Sequence, residues 1–349
     1  MRVKLGDVCE RGTSNLKLSD VSEKNGEFSV FGASGYIGSV DFYQQGYPYV
    51  AVVKDGAGIG RAMLCPGKTS VIGTMQYLLP KDNILPKYLF YVVKYMNLEK
   101  YFTGATIPHI YFKDYKNEEF NFDFWERQVE IVSVLSKCEK VIDLCKQELQ
   151  LLDKLIKARF IEMFGEPENN NKAWPVKSLD KLCTVGSSKR VYQSEQSSEG
   201  VPFWRISDLV SKIDTGTVDS ALFISEIKYT ELKRAGLVPV TGDILVTSRG
   251  TLGRCYIIQD EDCFYFQDGM ISWLSNYSEE ITPLYLQYLF TMSGFRKQIG
   301  NTQAGSTVAY LSIAMLKKLQ VMVPDKALQE QFAAFVAQTD KSKVAVRKY

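Results

Sequence analysis

Histidine is nearly missing from this chain: among 349 residues only His109 carries an imidazole. Any Ser-His-Asp or Cys-His nucleophile would have to use that one residue. The seven cysteines are an odd number with no close C-x-x-C pair, and no HExxH segment occurs, so neither a disulfide framework nor a metal-ligand set is indicated. No stretch approaches about 20 consecutive apolar residues, and Met1-Arg2-Val3-Lys4-Leu5-Gly6-Asp7 lacks the apolar run of a signal peptide. The expected setting is therefore a reducing cytoplasm, without a membrane. A strong charge of either sign is also lacking, with 42 Lys and Arg against 40 Asp and Glu, net +2. A stand-alone DNA binder is usually more basic, because phosphate neutralisation supplies much of the affinity. A nucleic-acid role would need local patches or a basic partner.

Two apparent nucleotide loops fail on inspection. Ala62-Met63-Leu64-Cys65-Pro66-Gly67-Lys68-Thr69 lacks the leading glycine of a P-loop, and β-prone Val71-Ile72 follows where a helix should begin. Gly56-Ala57-Gly58-Ile59-Gly60 has the spacing G-x-G-x-G, and no βαβ pattern surrounds it. Neither Asn-Pro-Pro-Tyr nor Asp-Pro-Pro-Tyr occurs, so an adenine methyltransferase signature is missing too. The expectation is a chain without catalytic residues, cofactor or metal.

What is present is a repetition. Gly104-Ala105-Thr106-Ile107-Pro108-His109-Ile110 returns as Gly305-Ser306-Thr307-Val308-Ala309-Tyr310-Leu311. Ile59-Gly60-Arg61 returns as Leu252-Gly253-Arg254, and Pro86-Lys87-Tyr88-Leu89-Phe90-Tyr91 as Pro283-Leu284-Tyr285-Leu286-Gln287-Tyr288. Further out, Val3-Lys4 and Asp7 are matched to Val176-Lys177 and Asp180, and Gln128 to Gln331. The period, about 200 residues, is far beyond the 20–50 of a solenoid and indicates a duplicated domain.

Tyr47 to Val53 reads as a buried strand, Lys54 to Gly58 as a loop, and Val71 to Leu79 as a further strand. Pro86 opens a helix with Tyr88, Tyr91, Val92 and Tyr95 on one face. From Glu126 to Phe164 neither Gly nor Pro occurs, and Leu135, Ile142, Leu149, Ile156 and Met163 recur every seven residues. Cys138, Cys145 and Leu152 follow three residues behind, completing heptad a and d positions, with both cysteines expected as small buried hydrophobes. Gly165-Glu166-Pro167 ends that helix. After Pro324 a second, shorter Gly-free helix turns Leu328, Phe332, Phe335, Thr339, Val346 and Tyr349 to one side. The boundaries expected are 1–124, 125–165, 166–323 and 324–349: domain, long helix, linker plus domain, short helix.

Binding signals sit in the loops. Arginine can pair with guanine, glutamine with adenine, and Ser or Thr with bases or phosphate. On that basis the DNA-facing candidates are Lys54, Asp55, Arg61, Thr106 and His109 in the first domain. In the second they are Trp204, Arg205, Ser207, Ser248, Arg249, Thr251, Arg254, Gln303, Ser306 and Thr307. Arg61 and Arg254 also suit a scaffold role, since a residue shared by both repeats fits common structure better than differing readout.

Along nearly its whole length the chain resembles the specificity subunit of type I restriction-modification systems. The resemblance is carried by Arg159-Phe160-Ile161-Glu162-Met163-Phe164-Gly165 before Trp174-Pro175, by Trp204 through Leu209, by Pro239 through Leu245 and by Pro324 through Gln331. It implies an α+β fold: two related mixed α/β target-recognition domains in pseudo-twofold arrangement, separated by two long helices forming an antiparallel coiled coil. It implies double-stranded DNA read in two halves, whose centres the helices would hold about one to one and a half turns apart. It also implies two modification subunits that methylate adenine N6, and restriction subunits driven by ATP. A shortened specificity subunit, acting as an orphan methylation guide or as an inhibitor that occupies modification subunits, is the other function considered. With the second helix short, residues beyond Gln150 are expected to be loosely packed in the monomer.

Overall fold

The computed structural model describes residues 1–22, 26–104, 107–301 and 309–347. The chain divides into two compact units, Met1–Asp143 and Leu144–Tyr349, and one helix, Trp125–Phe164, runs through the boundary.

Each unit repeats one topology. In the first, an antiparallel sheet has the order Cys9–Thr13, Met75–Pro80, Tyr49–Val53, Ala62–Cys65. In the second, Thr184–Gly186, Ile271–Ser275, Ile244–Thr247 and Cys255–Ile257 follow the same order. A smaller sheet stands beside each, with a parallel pairing in both: Val30 with Ser70, and Phe203 with Tyr265. Tyr49–Val53 and Ile244–Thr247 are buried at every position, as strands covered on both faces must be. Tyr47, expected within that buried run, is exposed. The expected strand Val71 to Leu79 is two strands, Ser70–Val71 and Met75–Pro80, broken by a turn at Gly73. On the helix Pro86–Met96, Tyr88 is buried but Tyr95 is exposed.

A two-stranded ribbon closes each unit: Arg2–Lys4 with Glu119–Asn121, and Val176–Ser178 with Gln320–Met322. Its register corrects the repeat alignment by one residue, pairing Leu5 with Leu179, whose amides bond Glu118 O and Leu319 O. Cys9 and Cys183 then correspond, each thiol donating to the carbonyl of that leucine. Burial pushes both thiols up to about 12, which suits inert packing groups.

The partner of Gln128 is Gln329, not Gln331. Gln128 accepts from Leu85 N at 2.9 Å and donates to Asn83 O and Asp123 O. Gln329 accepts from Thr282 N at 2.8 Å and donates to Glu280 O and Pro324 O. Each amide thus ties the first turn of a long helix to the start of the helix Pro86–Met96 or Pro283–Leu289. Both glutamines are fully buried, so every polar atom needs these partners.

The long helix is covered near its C-terminal end. Phe160 and Phe164 pack against Tyr285 and against Phe332 of the second helix, Lys326–Val346, with ring centroids 4.9–5.5 Å apart. Farther along, Lys343 bonds Asp153 at 2.8 Å, so the two helices run antiparallel. Ile156, Phe332 and Val346 are buried, and Phe335 packs against the cluster that holds the first two. This overturns the expected loose packing beyond Gln150. Among the heptad positions it is Leu135, Cys138 and Ile142 that stand exposed, while Cys145, Leu149 and Leu152 are half-buried. The seam expected there, with Cys138 and Cys145 inside it, does not form over those first turns, whose packed side is instead Gln128, Ile131, Val132, Ser136 and Glu139. Gly165 ends the helix with φ of 80°, the left-handed conformation expected of a glycine cap, and Trp174 Nε1 donates to Phe164 O.

Two outcomes follow from this packing. Gln329→Leu strands Thr282 N, Glu280 O and Pro324 O, and should lower stability by about 2–4 kcal/mol in urea unfolding. An unchanged midpoint would show that the amide is dispensable. In hydrogen exchange on the chain alone, amides of 140–148 should exchange faster than those of 152–164, and the reverse order would contradict the burial described.

Candidate nucleic-acid interface

The loops after Val53 and after Thr247 are built by matching backbone bonds. Val53 N donates to Arg61 O and Gly60 N to Val53 O; in the second unit Thr247 N donates to Arg254 O and Gly253 N to Thr247 O. Lys54 N reaches Thr74 O as Ser248 N reaches Met270 O, and Ile110 N reaches Lys54 O as Leu311 N reaches Ser248 O. Gly60 and Gly253 have φ of 79° and 70°, and a Cβ on Gly60 would lie 2.5 Å from Glu99 N. Only glycine fits that approach.

One residue after these bonded positions, each loop makes a bridge to the segment that the sequence repeats. Asp55 pairs with His109, and Arg249 with Tyr310. His109 Nδ1 lies 2.7 Å from Asp55 Oδ1, while Lys54 bonds the other carboxylate oxygen. Burial raises the Asp55 carboxyl, but the Lys54 and His109 bonds outweigh it and hold it below its ordinary value. The His109 ring lies over Tyr111 at 6.3 Å. In the second unit the Arg249 guanidinium sits 5.2 Å above the Tyr310 ring.

The other candidates divide sharply. Trp204 is only 6% exposed and stacks on Phe264 with centroids 3.5 Å apart, so it belongs to the core and not to a DNA-facing surface. Ser248 is corrected likewise: it is buried and bonds Ser272 Oγ at 2.7 Å. The Arg254 guanidinium is held by the Asp214 carboxylate, with Nη1 at 3.0 Å from Oδ2, and that bond raises its pKa further. Arg61 is exposed, and folds back on its own loop to bond Gly58 O and Ala57 O. Arg205 and Ser207 are exposed beside Asp208, whose carboxylate caps the helix Ile206–Thr215 through Arg205 N. Thr251 is exposed. Thr106, Gln303, Ser306 and Thr307 lie outside the described residues. Tyr310 was not among the candidates, although its alignment with His109 was the signal that could have found it. Among the described residues no group of three or more His, Cys, Asp or Glu could hold a metal ion, and no helix is long and apolar enough to cross a membrane.

The family model of the type I restriction modification DNA specificity domain matches residues 1–154 and again 171–348. The chain belongs to that family. Among curated proteins, this specificity-family chain is 23% identical over 286 residues to the type I restriction enzyme MjaIX specificity subunit of Methanocaldococcus jannaschii. That match takes in 74% of this chain and 63% of the relative. The MjaVIII specificity subunit of the same organism is 23% identical, over 81% of this chain and 70% of its own length. A putative specificity subunit of Haemophilus influenzae is 29% identical over 44% of this chain and 36% of its own length. The match thus spans less than two thirds of the first of these relatives. Among solved structures, the type I restriction-modification S subunit from M. genitalium superposes with a TM-score of 0.61 at 18% identity, covering 100% of this chain and 91% of that one, a likeness of fold.

Because the folded-state pKa of Asp55 is lowered, its bonds to Lys54 and His109 contribute stability above the ordinary carboxylate pKa. That contribution is lost as pH falls from about 4 through the lower folded value. Thermal melting between about pH 5 and 2 should therefore fall more steeply for the native chain than for Asp55→Asn, and parallel curves would contradict the coupling.

Proposed function

We propose that the chain is the DNA-reading subunit of a type I restriction-modification complex, with each unit recognising one half of a split target. The observation that supports this most directly is the doubled loop framework: one backbone, bonded alike in both units, carries Asp55 and His109 in one and Arg249 and Tyr310 in the other. Constant geometry with changed tip chemistry is what two readers of different sequences need, because base contacts specify while shared contacts only position.

In this reading the chain acts in the cytoplasm, beside modification subunits that methylate adenine N6 and restriction subunits that act on the same DNA. The chain contributes recognition and no reacting group. Its net charge of +2 is consistent with partners carrying much of the phosphate contact. Exposed apolar side chains along the middle of the long helix, such as Val141, Ile142 and Leu144, are consistent with partner contact there.

Exchange of residues 176–323 for the corresponding part of another family member tests the reading. Single-molecule methylome sequencing of cells carrying the hybrid and its modification subunit should show one half of the methylated motif changed and the other kept. A motif altered in both halves, or in neither, would overturn the assignment of one half to each unit.

A further inference from the structure

The two loop frameworks separate shared from differing residues with unusual clarity. Ile59 and Leu252 are buried, Gly60 and Gly253 have matching φ, and Arg61 and Arg254 are both tied to protein acceptors. Each of these three shared positions is thus occupied by structure. The bridges carry positions that differ in chemistry: Asp55 facing His109, and Arg249 facing Tyr310. A matching backbone bond fixes the chain beside each bridge, Ile110 N to Lys54 O and Leu311 N to Ser248 O.

The two pairs also differ in sign. A carboxylate only accepts hydrogen bonds, so His109 Nδ1–H donates to Asp55, and in a neutral ring the lone pair then lies on Nε2. Among the described residues Nε2 has no hydrogen-bond partner, and the ring is 35% exposed. It offers an acceptor. Arg249 is exposed, and stacking on Tyr310 fixes the guanidinium plane while leaving its N–H edges able to donate in parallel.

Resting on the proposed function, we infer that these bridges are the base-reading positions: His109, oriented by Asp55, accepts from an exocyclic amino group, and Arg249, steadied by Tyr310, donates to guanine. In the major groove the amino groups are adenine N6 and cytosine N4, and guanine presents O6 and N7 together. Asp55 and Tyr310 are positioning residues; His109 and Arg249 touch the base. The half-site of the first unit therefore requires a base pair whose amino group meets the ring, and that of the second requires a G·C pair.

The test uses the full chain with its modification subunit and single-molecule methylome sequencing. His109→Phe keeps the ring over Tyr111 and removes the acceptor; Arg249→Lys keeps the charge and removes the planar fork. Each should relax one base position in one half of the motif, by at least about tenfold in preference, leaving the other half intact. The two variants should affect opposite halves. Where methylation falls below detection, competition binding with duplexes altered at single positions reads the same preference. Unaltered preference in both variants, a uniform loss across all sequences, or a second half-site made only of A·T pairs would overturn the inference. A native chain that supports methylation of no split motif would instead defeat the proposed function itself.

Discussion

A glutamine amide has one acceptor and two donor hydrogens, and burying it commits three neighbouring backbone groups to fixed places. The chain does this twice, at Gln128 and at Gln329. Each amide joins the first turn of a helix to the N-terminus of the helix packed on its own sheet, so the placement of that first turn is set by hydrogen bonds. Apolar packing alone would allow sliding, because Leu, Ile and Val contacts have no direction. A stranded backbone N–H or C=O is costly, so a rotated helix loses more than the amide itself. The ribbons Arg2–Lys4 with Glu119–Asn121 and Val176–Ser178 with Gln320–Met322 reinforce this, since each clamps the segment that leads into the helix.

That rigidity explains why the loops could change chemistry without changing shape. Val53, Lys54 and Arg61 use the same backbone bonds as Thr247, Ser248 and Arg254, although Val53 and Thr247 differ in polarity and Lys54 and Ser248 in size and charge. Backbone bonds are indifferent to side-chain identity, so a duplicated unit can diverge at its tips at little cost to its frame. The arginine kept in both copies is the one that side-chain hydrogen bonds hold against the protein: Asp214 for Arg254, and the carbonyls of Ala57 and Gly58 for Arg61.

The sequence was most legible where a single local property decides the outcome. Absence of Gly and Pro over 126–164 together with a seven-residue apolar recurrence indicates a helix, and Gly165 behind it favours an end; Trp125–Phe164 followed by φ of 80° is the result. It was least legible where a second segment decides. Heptad spacing marks which residues could form a seam, yet Leu135, Cys138 and Ile142 stay exposed while Ile156 is buried, because only the later turns carry Phe160 and Phe164 into the Tyr285 and Phe332 rings. Trp204 and Ser248 were misjudged for a related reason. Both adjoin exposed arginines where a buried strand gives way to other structure, after Trp204 and after Thr247, and the letters do not mark where burial ends. Offsets in the repeat alignment also hide in sequence: Gln329 and Gln331 both fit the letters, and only the bonds to Thr282 and Glu280 choose between them.

Charge leads to the same division of labour between frame and tip. The chain carries 42 basic side chains, but many are already committed to its own carboxylates, among them Lys54 to Asp55, Lys177 to Glu280, Lys212 to Asp262, Arg254 to Asp214 and Lys343 to Asp153. These pairs are mostly at the surface and cost little to break, but each carboxylate cancels part of the local positive field that would draw a phosphate. For a reader of DNA sequence this is an advantage in discrimination. Phosphate attraction strengthens correct and incorrect sites alike, whereas a base contact of the kind proposed for Arg249 strengthens only one. A subunit with weak general attraction and a few well-placed base contacts leaves affinity to its partners and keeps specificity for itself.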